Sequence, residues 1–148
     1  MKMLWIFAFL LLVPASSMAS ENWSLTDTNG KMVRLSDYKG KWVLVNFWAT
    51  WCPPCLAEIP HLNAMKRKNI VVIGIAVSYS GASEVLDFMK DKKITYPVVL
   101  GNEDVAAKFG GIDSLPTTFL YSPDGMLVGQ HEGQLTQDDI SKLTASMK

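Results

Sequence analysis

Apolar and polar positions follow one another along most of the chain with the two periods expected of strands and helices. Apolar stretches rich in β-forming residues predict four strands, at 42–47, 70–77, 96–100 and 117–121. Apolar residues spaced by three or four positions predict four helices, at 52–68, 84–92, 104–109 and from about 136 onward. Strands and helices therefore alternate through the middle of the chain, which favours parallel pairing of the central strands.

Two hairpins are predicted on either side of this alternating region. Residues 20–35 form the first, with Asn29-Gly30 as a strong turn signal. The turn at 122–125 separates the 117–121 strand from a returning strand over 126–132. This second hairpin predicts an antiparallel edge on an otherwise parallel sheet. The fold class is therefore α/β, with a central mixed β-sheet flanked by helices and an N-terminal β-hairpin.

Several residues indicate where the helices begin, bend and end. Ser83 is a candidate N-cap of the second helix, and Thr136 with Asp139 forms a capping box before the last one. Pro60 lies inside the first helix, and we expect a kink there because proline has no N–H to donate. Gly110-Gly111 is expected to end the short third helix.

The N-terminal 19 residues differ in character from the rest of the chain. Lys2 is followed by an unbroken apolar run over 4–13, then Pro14, then the small residues at 17–19 that a signal peptidase reads. This pattern predicts a signal peptide over 1–19 and hence export to the periplasm or another extracytoplasmic compartment. An uncleaved anchor is the alternative, although ten apolar residues are short for a membrane span.

The remaining 129 residues, 20–148, are expected to form one domain. About half of the chain is apolar, which is enough for an ordinary packed core. The formal net charge is zero and no basic stripe occurs, so nucleic acid is not an expected partner.

The only two cysteines of the chain, Cys52 and Cys55, lie at the start of the first predicted helix. The helix dipole and the free N–H groups there stabilise a thiolate, and Cys55 lies one turn later, where it can close onto Cys52. An exposed thiolate attacks a partner's disulfide, and the second thiol resolves the product. Such a dithiol is itself the redox group, and no separate cofactor is expected.

Other uses of a Cys pair fit this sequence less well. A metal site needs about four ligands, and only His61 and His131 accompany the two cysteines. Haem attachment needs a histidine directly after the second cysteine, where Leu56 stands. A purely structural bridge would close a very small loop and stabilise the fold little. No metal site is predicted.

The segment VNFWATWCPPC at 45–55, followed by Glu58-Ile59-Pro60, resembles the thioredoxin superfamily, and more narrowly its exported TlpA/ResA-like thiol–disulfide oxidoreductases. The resemblance resumes at 109–112, at 115–120 and at 124–125, and it covers the chain from about residue 22 to the end. The helix and strand at about 83–100 match an insertion typical of that branch. A thioredoxin-like fold is therefore expected.

The resemblance implies a role for each residue of the motif. Cys52 would be the attacking cysteine and Cys55 the buried resolving one. Pro116 would follow a cis peptide bond beside the dithiol, and Leu115 would offer backbone groups to an extended substrate. Trp51, Pro53 and Pro54 would complete the substrate-binding surface, and Trp48 is expected in the core.

Asn46 departs from the pattern of cytosolic thioredoxins, which carry a buried, titrating acid at this position of the strand. Glu58 is the expected substitute, because it lies three residues after Cys55 on the same side of the helix and the ResA-like branch has an acid there. Burial near a thiolate would raise its pKa. The alternative is an ordinary solvated glutamate.

The sequence thus predicts a monomeric, exported enzyme that reduces disulfides in other proteins. The resemblance implies electrons from a membrane thiol-transfer protein and a role in cytochrome c maturation. Two alternatives remain open at this point. One is a copper metallochaperone, although related chaperone domains use CxxxC, and the other is a redox-inactive binding domain with a structural disulfide.

Overall fold

The computed structural model describes residues 22–66 and 70–146. Its strands are β1 Ser24–Thr26, β2 Met32–Arg34, β3 Trp42–Trp48, β4 Ile70–Ala76, β5 Val98–Leu100, β6 Thr117–Tyr121 and β7 Leu127–Glu132. Its helices are α1 Pro53–Met65, α2 Ala82–Asp91, α3 Glu103–Ala107 and α4 Gln137–Ser146, with a 3₁₀ turn at Leu35–Tyr38. The predicted signal peptide, the predicted end of the first helix at 67–68 and residues 147–148 lie outside the described residues.

Five strands form one sheet in the order β5-β4-β3-β6-β7. The pairs β3–β4 and β4–β5 are parallel, and the pairs β3–β6 and β6–β7 are antiparallel. The predicted mixed sheet with an antiparallel edge is confirmed. The register places Asn46 between Gly74 and Thr118, so Asn46 lies in the middle of the sheet.

Alternation along β3 creates two cores, one on each face of the sheet. Leu44 and Trp48 face α1, α2 and α4, where Leu62, Val85 and Ile140 are buried. Val45 and Phe47 face the hairpin β1–β2, whose Trp23, Leu25 and Val33 pack with Phe109. The predicted core position of Trp48 is confirmed, since only 2% of the residue is exposed.

The N-terminal hairpin is confirmed as a separate two-stranded sheet. Gly30 adopts a positive φ of 76° in its turn, a conformation that glycine tolerates well. The Asp27 carboxylate accepts hydrogen bonds from the N–H groups of Asn29 and Lys31, and this fixes the turn.

Two helix starts differ from the prediction. Helix α2 begins at Ala82 with Gly81 as its N-cap, because the Glu84 carboxylate accepts the Ser80 N–H and Ser83 is left inside the helix. Helix α3 begins at Glu103, one residue early, because the Asn102 side chain accepts the Val105 N–H at 2.9 Å. It ends at Ala107 rather than at 109.

No helix in the described ranges is both long and apolar enough to cross a membrane.

Pro60 lies within α1 as predicted and has no N–H to donate to the Leu56 carbonyl.

Candidate active site

The dithiol lies at the junction between β3 and α1. Cys52 is the N-cap of α1 in extended conformation, and Pro53 and Pro54 occupy the first two helical positions. Cys52 and Cys55 form a disulfide with their Cα atoms 5.3 Å apart. The expectation that several free N–H groups surround Cys52 needs correction. Two consecutive prolines remove the first two donors, so the first N–H of the helix is that of Cys55.

Both cysteines are buried in this disulfide state. Cys52 is 4% exposed and Cys55 is 1% exposed. In this oxidised form Cys52 packs into the apolar cluster on the α1 face of the sheet. The expected exposure of the attacking thiolate concerns the reduced form and stays a prediction. The two positions still differ, since Cys52 borders a surface groove and Cys55 does not.

Glu58 lies one turn after Cys55 and is completely buried. Its Oε1 accepts a 2.6 Å hydrogen bond from Asn46 Nδ2, and its Oε2 accepts a 2.9 Å bond from the Leu135 N–H. Burial raises the pKa of Glu58 to about 7, although the bonds from Leu135 and Asn46 and the charge of His131 oppose the rise. The alternative of a solvated helix glutamate is wrong.

Asn46 connects this carboxylate to the antiparallel side of the sheet. Its amide group donates to Glu58 and also, at 3.0 Å, to Thr118 Oγ1 on β6. All three residues are buried. The sequence placed Asn46 in a buried strand and identified Glu58 as a candidate, but nothing in the spacing indicated that the two side chains meet.

The loop before β6 lies beside the dithiol. The Leu115–Pro116 peptide bond is cis, as the resemblance implied. Thr117 Oγ1 donates to the Ser114 carbonyl at 2.8 Å, and the Gly133 N–H donates to the Pro116 carbonyl at 2.8 Å. Within the described residues, the Leu115 N–H and carbonyl have no hydrogen-bond partner.

Trp51 is the most exposed large side chain near the dithiol, with 62% of its surface accessible. Its Nε1 donates to the Ser78 carbonyl at 3.0 Å, which holds the indole across the loop after β4. Ser78 has a positive φ of 54°, an uncommon conformation for a residue other than glycine. Pro53 and Pro54 are also exposed beside Cys52.

Glu84 supports the same loop, and sequence reasoning did not identify it. Its Oε1 accepts from Thr50 Oγ1 at 2.5 Å, and its Oε2 accepts from the Ser80 N–H at 2.9 Å. The hydrogen bonds from Thr50 and then Ser80 lower the pKa of Glu84. Its only sequence signal was a position in the first turn of a helix.

A groove of about 620 Å³ is lined by Trp51, Cys52, Leu115 and residues at the start of and within α3. Val77, Ala106 and Ile112 contribute its apolar surface. The groove thus brings together apolar side chains, Cys52 and the Leu115 backbone. Among the described residues, no group of three or more metal-ligating side chains could hold a metal ion.

A comparison with protein-family models matches residues 18–130 to the AhpC/TSA family. The chain belongs to this family. Among the relatives of this chain, the thiol-disulfide oxidoreductase ResA of Bacillus subtilis (strain 168) is 38% identical over 123 residues, covering 80% of this chain and 68% of the relative. ResA of Geobacillus kaustophilus (strain HTA426) is 35% identical over 128 residues, covering 84% of this chain and 73% of the relative.

A solved structure at 30% identity supports the thioredoxin-like fold. A thiol:disulfide interchange protein of the thioredoxin family from Chlorobium tepidum TLS superposes with a TM-score of 0.77 at 30% identity, covering 86% of this chain and 94% of that one. The predicted thioredoxin-like fold and its TlpA/ResA-like resemblance are confirmed. This member of the AhpC/TSA family is a thiol–disulfide oxidoreductase with a Cys52–Cys55 disulfide.

Proposed function

We propose that this oxidoreductase is exported and reduces disulfide bonds in other proteins, with Cys52 as the attacking thiolate. The observation that carries the proposal is the difference between the two cysteines. Cys52 borders the groove, whereas Cys55 lies in the core one helical turn away. A substrate sulfur seated in the groove can therefore reach Cys52 and not Cys55.

The reaction proceeds by two exchanges that conserve atoms and electrons. The Cys52 thiolate attacks one sulfur of the substrate disulfide, and the other substrate sulfur leaves as a thiolate that takes up a proton. Cys55 then loses its proton and attacks Cys52 Sγ, which releases the second substrate thiolate. The substrate gains two electrons and two protons, and the enzyme is left with its Cys52–Cys55 disulfide.

Glu58 is the group we propose to accept the Cys55 proton in the second exchange. A pKa of about 7 lets this carboxyl group both take up and release a proton near neutral pH. Asn46 occupies the strand position and cannot titrate, so its contribution is to hold the Glu58 carboxylate.

The substrate would bind in extended form along the Leu115–Pro116 segment, since the Leu115 backbone groups are unpaired among the described residues. Trp51, Pro53 and Pro54 would form the opposite rim beside Cys52. This arrangement recognises a peptide backbone and an accessible disulfide rather than a small molecule. A monomer is sufficient for it.

Each turnover leaves the enzyme oxidised, so an electron donor must reduce it again. For an exported protein with the predicted N-terminal signal, we propose a membrane thiol-transfer protein as this donor and the periplasm or a similar extracytoplasmic space as its location. Apocytochrome c, whose CxxC disulfide must be reduced before haem attaches, is the proposed substrate.

A trapping experiment tests the direction of attack. In Cys55→Ser, Cys52 forms the mixed disulfide and cannot be resolved, so substrate proteins should be recovered from cells as covalent adducts. The matched Cys52→Ser variant should trap none. Recovery of no partner with Cys55→Ser, or equal recovery with both variants, would contradict the proposal.

The reduction potential separates this function from the two alternatives. An active dithiol should lie between about −180 and −300 mV and exchange rapidly. A much lower potential with unreactive thiols would indicate a structural disulfide. Retention of one equivalent of copper by the reduced protein would indicate a metallochaperone.

The role of Glu58 is tested by the thiol pKa values and exchange rates of Glu58→Gln. Glutamine fills the same volume and cannot exchange a proton, so the pH dependence of the second exchange should change. Unchanged thiol pKa values and rates would exclude the role.

A further inference from the structure

Two carboxylates line the groove beside Cys52. Glu103 lies at the first position of α3, and Asp113 lies in the segment that leads to Leu115. Both residues are exposed. No lysine, arginine or histidine is among the described residues that line the groove. The wall of this groove is therefore acidic although the whole chain has no net charge.

These carboxylates are not neutralised within the described part of the chain. The ion pairs there are Arg34–Asp37, Lys92–Asp91 and Lys142–Asp138, and none of them includes Glu103 or Asp113. Neither side chain accepts a hydrogen bond from another described residue. Glu84, by contrast, is occupied by Thr50 and Ser80. The charge of Glu103 and Asp113 thus remains available to a bound molecule.

Trp51 adds a second feature that suits a cation. Its exposed indole also lines the groove, and its Nε1 donates to the Ser78 carbonyl. An aromatic face with a fixed orientation attracts ammonium and guanidinium groups. A cationic side chain in the groove would therefore share this surface with an aromatic side chain and two carboxylates.

We infer that the groove selects disulfide substrates that carry a lysine or arginine close to the disulfide. This inference rests on the proposed function, because it names the class of protein segment that the same site reduces. The apolar surface of Val77, Ala106 and Ile112 receives the aliphatic part of the side chain, and the carboxylates meet its charged end. Complementary charge of this kind contributes mainly to specificity and association rate.

Peptide disulfides of matched sequence test the inference with the full-length protein. Three peptides, identical except for a lysine, glutamine or glutamate two positions after one cysteine, are compared by kcat/KM. We expect the lysine peptide to be reduced about threefold to tenfold faster than the glutamate peptide, with glutamine between them. At about 0.5 M salt this preference should shrink to less than about twofold, because exposed charges are screened.

A charge-neutral double variant assigns the preference to the groove. Glu103→Gln with Asp113→Asn should abolish most of the preference for lysine, so that this variant reduces the three peptides at rates within about twofold of one another. The matched control is Asp37→Asn with Asp124→Asn, which changes the net charge equally. Its two residues lie at the opposite end of the sheet, where Gly40 N–H donates to the Pro123 carbonyl. This control should retain the preference.

The outcomes separate this inference from the proposed function. Equal reduction of all three peptides, or an unchanged preference in the groove variant, would overturn the inference and leave the reductase function intact. Failure to reduce any peptide, together with failure to reduce a protein disulfide, would overturn the proposed function and the inference with it. Far-UV circular dichroism of both double variants verifies that they are folded.

Discussion

The Asn46 amide on β3 donates a 2.6 Å hydrogen bond to the buried Glu58 carboxylate on α1. The second oxygen of Glu58 accepts from the Leu135 N–H just before α4. Three separate parts of the chain thus hold one carboxylate behind the dithiol. Because the group is desolvated and yet hydrogen-bonded, its pKa lies at about 7 rather than 4.5.

The raised pKa of Glu58 predicts that stability depends on pH. The folded protein retains the Glu58 proton up to about pH 7, whereas the unfolded chain releases it near 4.5. The contribution of Glu58 to the free energy of unfolding should therefore be largest below about pH 4.5 and should fall as pH rises to about 7. This contribution is on the order of 3 kcal/mol.

Urea denaturation of the oxidised protein across this pH range measures the effect. In Glu58→Gln the corresponding decrease should be absent, although the variant is less stable overall, because both neighbouring groups are donors. The control Glu103→Gln neutralises an exposed carboxylate and should keep the decrease. An identical pH profile in wild type and Glu58→Gln would show that Glu58 does not titrate in this window.

Asn46→Ala should raise the pKa of Glu58 further. The lost hydrogen bond favours the ionised carboxylate, so its removal stabilises the protonated form. At about pH 8 the variant should lose about 1–3 kcal/mol of stability, because a buried charge loses a partner. A carboxyl ¹³C NMR titration reports the pKa directly. Thr118→Val removes a hydrogen-bond partner of Asn46 but none of Glu58, so it should shift the pKa of Glu58 less than Asn46→Ala does. An equal shift in the two variants would argue against direct control of this pKa by the Asn46–Glu58 hydrogen bond.

Gly74→Ala should destabilise the protein without touching the dithiol. A Cβ at Gly74 would lie 2.9 Å from Trp48 Nε1 and 2.9 Å from Tyr96 Cε2, both of which belong to buried residues. Overpacking of this kind costs about 1–3 kcal/mol. Denaturant unfolding measures it, with Gly129→Ala as the control because the nearest atom to its Cβ is 4.0 Å away. Equal stability of the two variants would show that the sheet accommodates the methyl group.

Trp51→Ala should lower the rate of disulfide reduction with little loss of stability, whereas Trp48→Ala should mainly lower stability. Trp51 is 62% exposed, so its truncation should change the free energy of unfolding by less than about 1 kcal/mol. Its reduction of protein disulfides should nevertheless slow several-fold, since the docking rim is lost. Trp48→Ala should cost about 3–5 kcal/mol, because Trp48 is buried and stacks on Phe88. Unimpaired reduction by Trp51→Ala would contradict a role in docking.

The fold was predictable because its signals are local. The apolar run of β3 and the alternating order of strands and helices predict a mixed sheet, and all seven strands were expected within a few residues. Helix starts were less predictable. The N-cap of α2 shifted from Ser83 to Gly81 because Glu84 bonds the Ser80 N–H, a contact that depends on the path of the loop.

The sequence by itself favoured the reaction class, since two cysteines separated by two prolines at a helix start suit disulfide exchange better than metal binding or a structural bridge. It also determined that Asn46 cannot transfer a proton and that Glu58 is the acid nearest in sequence. Only the tertiary structure decided that Asn46, Glu58 and Leu135 meet, because sheet register and helix packing bring together groups 12 and 77 residues apart. It likewise placed Glu103 and Asp113 beside Cys52, since an exposed carboxylate leaves no pattern in the chain until folding gives it neighbours.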